Sequence, residues 1–158
     1  MAERQRFRLV APLVNRPVAL ALPFRNPTPD DLPSLAELML SAYEGTIDYS
    51  GETLDETIDE VRSYFEGKSG EPLLDCSFVA LDLDAPVSAS LVSLWEGGPL
   101  LAYTYTGKLW KGQGLATGLV QLSINALHAR DHQSLALWVT DGNTPAERLY
   151  TALGFQPA

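Results

Sequence analysis

The stretch WKGQGLATGLV, Trp110 to Val120, places three glycines in a short span and then runs into helix-forming residues. The residues before it, Leu100–Thr106, read as a strand, and those from Leu115 to about Arg130 as a helix whose buried stripe is Leu115, Leu119, Leu122 and Ala126. A strand, a loop of small residues and a helix start leave backbone N–H groups unpaired at the helix N-terminus. Such donors, with the positive end of the helix dipole, suit a phosphate or pyrophosphate. Two common phosphate loops fail: no Gly-Lys-Ser/Thr occurs, and the dinucleotide pattern Gly-x-Gly-x-x-Gly is broken because the third glycine arrives one place late, at Gly118.

Working outward, the segments on either side are strands and helices with explicit ends. Downstream, SLALWVT is a buried strand, and TPAERLYTALG is a helix that Thr144 caps, with Pro145 in the first turn, Glu147 closing a capping box and Gly154 as the stop. Upstream, Cys76–Leu83, Val87–Trp95 and Leu100–Thr106 are apolar or β-branched runs broken by turn residues, so they read as consecutive antiparallel strands. Before them come two helices. The first starts near NPTPDD, with Thr28 or Asp31 as the cap and Leu32, Leu35, Ala36, Met39 and Tyr43 as its apolar face. The second opens on the Thr53/Glu56 capping box, presents Leu54, Ile58, Val61 and Phe65, and stops at Gly67. Phe7–Val14 and Pro17–Phe24 read as two short strands at the start of the chain. The order predicts an α+β domain with a mixed sheet and helices on its faces.

Composition fits a single domain over residues 1–158. The chain has 158 residues, 46% hydrophobic and 20% charged, without repeats or low-complexity tracts. Twenty acidic against eleven basic side chains give a net charge of −9. That excludes the basic footprint nucleic acid requires, and it favours encounter with cationic small molecules. Arg4, Arg6 and Arg8 before LVAPLV look like a secretion signal, but Asn15, Arg16 and Pro17 interrupt the apolar run, and no segment is long enough to span a membrane. With one cysteine, Cys76, read as a buried apolar strand residue, the expectation is a reducing, cytoplasmic location. His128 and His132 sit at the far end of a helix with no third ligand in view, so no metal site is expected.

Two motifs in register resemble the GNAT superfamily of acyl-CoA-dependent N-acetyltransferases. The family loop Arg/Gln-x-x-Gly-x-Gly/Ala matches KGQGLA, with Lys111 departing at the first position. The family pattern Asn-x-x-Ala-x-x-Leu-Tyr followed by Gly-Phe matches Asn143, Ala146, Leu149, Tyr150, Gly154 and Phe155. The resemblance is specific over residues 100–155, which it implies form the acetyl-CoA-binding core. It implies a twisted, mostly antiparallel sheet with a splayed parallel pair and helices on both faces. It further implies transfer of an acetyl group from acetyl-CoA to a primary amine, small-molecule or peptide, by direct attack in a ternary complex. In that scheme Gly112, Gln113, Gly114, Leu115, Ala116 and Thr117 hold the pyrophosphate, with Lys111 at the rim. Thr104, Tyr105 and Thr106 pair with the pantetheine arm, Asn143 reaches the same arm, and the Tyr150 hydroxyl protonates the departing thiolate. The general base stays open among Glu96, Asp141, Glu44, Asp48 and a water held by Tyr103 or Tyr105, because LLAYTYT carries no acid. Acceptor recognition is expected from the loops around Glu44–Gly51 and Trp95–Pro99. A non-catalytic acyl-CoA-binding or interaction module on the same fold is the alternative.

One expectation concerns the sheet edge. Family sheets continue past Gly-Phe with further strands, whereas only Gln156, Pro157 and Ala158 follow Phe155, so the C-terminal strand is expected to be missing. The extra N-terminal strand within residues 1–16, or a neighbouring subunit in a homodimer, is expected to pair with SLALWV instead.

Overall fold

In the computed structural model, residues 5–158 are described; Arg4 of the basic N-terminal run lies outside them. Among these residues, eight strands form a single sheet with four α-helices packed on it. In chain order the elements are β1 (Arg6–Pro12), β2 (Phe24–Arg25), α1 (Leu32–Tyr43), α2 (Leu54–Phe65), β3 (Glu71–Pro72), β4 (Phe78–Asp82), β5 (Ala85–Trp95), β6 (Gly98–Thr106), α3 (Leu115–Ala129), β7 (Ser134–Thr140), α4 (Thr144–Ala152) and β8 (Gln156–Pro157). The sheet order is β2-β4-β5-β6-β7-β1-β8, with β3 also on β5.

The central meander forms because its two turns suit tight hairpins. Leu83 and Asp84 join β4 to β5 with both φ values positive, as do Glu96 and Gly97 between β5 and β6. That is the conformation whose twist matches the flanking strands. β5 is buried continuously from Val87 to Ser93 rather than alternately, since both of its faces are covered. One cluster, with Leu35, Met39, Val61, Tyr64, Ala89 and Leu91, joins α1 and α2 to the sheet. A second joins α3 and α4 to it through residues such as Val92, Ile124, Leu127, Leu137 and Phe155, and a third gathers Ala80, Val87, Leu115 and Leu119.

Two features of β6 open the molecule. A register shift at Leu91/Val92 leaves Ala102 as an extra residue in β6, and such a bulge bends the strand that carries it. β6 then pairs with parallel β7 only at Leu100↔Ala136. Beyond that point the two strands splay, and the backbone of β6 on that side is left without a strand partner.

Several expectations change here. Pro17–Phe24 is not a strand: only Phe24–Arg25 pairs, with β4, and the preceding apolar residues lie as coil against α3. Gly118 explains why, because a Cβ there would run into the Leu20 side chain. The third glycine of the opening stretch is thus a packing site for the N-terminal segment. Cys76 is buried, but it ends a 3-10 turn, Leu74–Cys76, rather than starting a strand. Thr28 and Asp31 take the N-cap positions of successive elements, Thr28 before the 3-10 turn Pro29–Asp31 and Asp31 before α1, but the Asp31 side chain makes no cap bond to α1. Asp31 accepts from the Thr28 amide and from both guanidinium nitrogens of Arg25, each at 2.8 Å. On α2 the buried face is Thr57, Val61 and Tyr64, shifted from the expected stripe, and Leu54 is exposed. The cap of α4 is Asn143, whose side chain accepts from the Ala146 amide at 3.3 Å, instead of Thr144.

The edge of β7 is covered from within the chain. β1 runs antiparallel to it over seven residue pairs, Arg6↔Thr140 to Pro12↔Ser134. The C-terminal strand is not wholly missing either: Gln156 and Pro157 pair with Val10 and Leu9 on the outer side of β1, and the Ala158 amide donates to the Arg8 carbonyl.

Candidate active site

Two clefts meet where β6 and β7 part. The first, of about 580 Å³, runs from the loop before α3 along the open side of β6 to α4. Every residue expected to hold the cofactor lines it except Gln113, which is exposed. At its head, Gly112 and Gly114 have φ of +78° and +80°, in the left-handed region that glycine adopts without a Cβ penalty. A Cβ at either would meet nothing within 4 Å, so these glycines serve the backbone conformation and not a crowded contact. Gly114 is the N-cap of α3 and has no side chain to offer it. The first helical bond is the Gly118 amide to the Gly114 carbonyl, so the amides of Leu115, Ala116 and Thr117 have no acceptor among the described residues. Three free donors at the positive end of α3 are a set that suits an anion. Lys111 lies beside it, but its ammonium donates to the Ala42 carbonyl in the last turn of α1, at 2.6 Å. Burial lowers its pKa, helped by the nearby Lys108.

The second cleft, of about 510 Å³, lies on the other side of the parted strands and is lined by residues of α2, β6, β7 and β1. Tyr43, Asp48, Thr104, Asn143, Ala146 and Tyr150 line both clefts and so form the wall between them. The Thr104 hydroxyl in this wall is buried without a hydrogen-bond partner among the described residues. A buried donor and acceptor left open between two clefts is what a polar ligand would satisfy. Asn143 is used twice: its oxygen caps α4, and its Nδ2 donates to Asp48 Oδ2 at 3.0 Å. The cap therefore also fixes the carboxylate.

Tyr150 packs its ring edge-on against Phe155, 5.6 Å between centroids, and is almost fully buried. Its hydroxyl has no hydrogen-bond partner among the described residues. Burial and then the Asp48 carboxylate push its pKa well above the ordinary 10.0, so it holds its proton at neutral pH. Tyr43 and Tyr103 are raised in the same way, burial first and the Glu60 carboxylate second. Tyr103 donates to Glu60 Oε1 at 3.0 Å. Tyr105 is buried deeper, with its hydroxyl toward the Leu35 carbonyl at 3.4 Å.

Of the carboxylates left open as a base, only Asp48 reaches the junction, while Tyr103 lines the second cleft and Tyr105 the first. Glu44, Glu96 and Asp141 are exposed and line neither cleft. Gly45, Thr46 and Ile47, expected to meet the acceptor, instead line the first cleft. Glu60 was not singled out from the sequence. The signal that could have found it is its place between Thr57 and Tyr64, on the flank of the face that α2 turns inward. His128 is exposed and His132 half-buried, and no cluster of three or more metal-ligating side chains occurs among the described residues. No helix among them is long and apolar enough to cross a membrane.

Residues 95–158 match the family described as FR47-like protein. No curated protein sequence matches the chain. Among solved structures, a GCN5-related N-acetyltransferase from Sphaerobacter thermophilus is similar over 98% of this chain and 49% of its own, at 18% identity and a TM-score of 0.75. The chain thus spans about half the length of that relative. The PaiA N-acetyltransferase of Thermoplasma acidophilum, solved with coenzyme A, is similar over 87% of this chain and 91% of its own, at 14% identity and a TM-score of 0.67. A ribosomal-protein-alanine N-acetyltransferase from Brucella melitensis is similar over 85% of each chain, at 24% identity and a TM-score of 0.67. With its splayed parallel pair, its helices on both faces and these likenesses, the chain has the fold of the GCN5-related N-acetyltransferases, the GNAT fold.

Proposed function

We propose that this protein is an N-acetyltransferase that uses acetyl-CoA to acetylate a primary amine in a ternary complex. The observation that carries the reading is the shared wall: one buried, protonated tyrosine and one tethered carboxylate stand between a cleft headed by free helix amides and a second, separate cleft. The first cleft fits acetyl-CoA. The amides of Leu115, Ala116 and Thr117 suit its pyrophosphate, the unpaired side of β6 at Thr104–Thr106 suits the amides of its arm, and the Thr104 hydroxyl suits a polar group at the junction. When bound, acetyl-CoA supplies an acetyl group already activated as a thioester.

The protein's own groups handle two protons. Asp48, held by Asn143, accepts the proton that an amine in the second cleft must lose before it attacks. Tyr150 keeps its hydroxyl proton at neutral pH and gives it to the sulfur as it departs. No protein thiol is needed, and Cys76 is buried in a core cluster away from the wall. Calorimetric titration with acetyl-CoA, followed by thiol release over a panel of amines, tests this. Binding plus turnover supports it; binding without turnover for any amine returns the chain to a non-catalytic acyl-CoA-binding module.

A further inference from the structure

The second cleft carries charges of both signs. Asp48 is on the wall shared with the first cleft, whereas Arg6, Lys68 and a second carboxylate, Glu60, line the second cleft only. Arg6 comes from β1, the strand that completes the sheet. Register dictates its aim: Phe7, Leu9 and Ala11 pair with Val139, Leu137 and Leu135, which face the core, so Arg6 takes the opposite face with Thr140. Thr140 and Trp138 on that face line the same cleft.

These cations are not accounted for by the protein itself. Arg6 has no carboxylate within ion-pair distance among the described residues, and Lys68 only reaches Glu66, an exposed pair at 3.8 Å. Neither lies within ion-pair distance of Glu60, the other carboxylate in the cleft, which takes its hydrogen bond from Tyr103 instead. An amine without an acid group would leave Arg6 with no anionic partner there, whereas one that carries an acid group would supply it. In a chain of net charge −9, two basic groups in one cleft mark a local departure from the overall field.

We propose that the acceptor is a small zwitterionic amine: its amino group lies toward Asp48, and a carboxylate or phosphate on the same molecule is bound by Arg6 and Lys68. This rests on the acetyltransferase reading above. It adds an acid group to the cationic small molecule that net charge alone favours.

The test compares amines that differ in the acid group: propylamine with β-alanine, isopropylamine with L-alanine, and ethanolamine with phosphoethanolamine, with spermidine as the polycation. Two readouts are taken, kcat/KM from thiol release and direct binding of each amine by saturation-transfer NMR. The expected result is that at least one acid-bearing member exceeds its partner by about tenfold or more, in line with one charge-assisted contact. Arg6→Gln and Lys68→Gln should move that ratio toward one. The carboxylate and phosphate arms report which anion is preferred. If the neutral members or spermidine match or exceed the acid-bearing ones, or if the double variant keeps the ratio, the proposal is overturned. Should no amine be acetylated, the transferase reading fails by itself. The binding arm then decides: an acid-dependent preference lost in Arg6→Gln upholds the inference, and its absence overturns it.

Discussion

Replacing Tyr150 by phenylalanine separates its chemistry from its packing. The ring contributes the contact with Phe155 at 5.6 Å and belongs to the core cluster around α4. Phenylalanine keeps all of that. The hydroxyl has no partner to leave unsatisfied, so stability should change by less than about 1 kcal/mol. Affinity for acetyl-CoA should hold too, because the free amides at Leu115–Thr117 are untouched. Turnover is different. A positioned general acid contributes about 10²–10⁴-fold, or about 2.7–5.4 kcal/mol in the barrier, so kcat should fall by at least 100-fold with Kd for acetyl-CoA unchanged. pH gives a second reading. A group whose pKa is raised stays protonated to higher pH, so Tyr150 should keep its proton past its ordinary 10.0. The wild-type rate should therefore show no loss on the alkaline side up to about pH 10 from this residue. Thiol-release kinetics on both proteins check the two points. A variant within about threefold of wild type, or an alkaline limb near pH 8 that vanishes in Tyr150→Phe, would refute the assignment.

Three other substitutions probe separate links. Gly114→Val forces a β-branched residue into the left-handed region at about 1–2 kcal/mol; calorimetry should show acetyl-CoA binding weakened at least tenfold while circular dichroism shows the fold retained. Asp48→Asn keeps a partner for Asn143 but cannot take a proton, so kcat should fall about 100-fold or more, with acetyl-CoA affinity preserved. Gly70→Ala combines a φ of +96° with a Cβ that would strike the Leu94 carbonyl oxygen, so chemical denaturation should show a loss of about 2–4 kcal/mol as β3 is pushed from β5.

What could be read in the sequence were the features that residues specify locally. Gly112 and Gly114 announce left-handed turns, Pro145 and Gly154 bracket α4, and hairpin residues divide β4, β5 and β6. Each needs only its neighbours in the chain. The run Pro17–Phe24 misled because apolar content alone does not distinguish a strand from coil that packs. Pro17 and Pro23 lack the N–H that a ladder needs, and Leu20 fills the space that Gly118 leaves. Asn143 against Thr144 was a one-residue choice between two good caps, decided by the oxygen that reaches the Ala146 amide. The carboxylates were the least legible. Asp48 lies in the loop before α2 and Glu60 on α2, and only the tertiary fold brings both to the second cleft. Nothing in the local spacing encodes that convergence.

The N-terminal strand ties stability to specificity. Without β1, the strand β7 would present an unpaired edge beside the site, with Leu135, Leu137 and Val139 behind it. Completing that edge fixes the register, and the register in turn decides which β1 side chains face the core and which face the second cleft. A slip by one residue would send Arg6 to the core side and Phe7 to the cleft. The buried position of Ala11, opposite Leu135, opposes such a slip, since its neighbours Val10 and Pro12 are larger. The Arg6 side chain that lines the second cleft is thus held in place by apolar residues on the other face of the same strand. Sheet completion and cleft lining fall on alternate residues of one strand, Phe7, Leu9 and Ala11 on one face and Arg6 on the other.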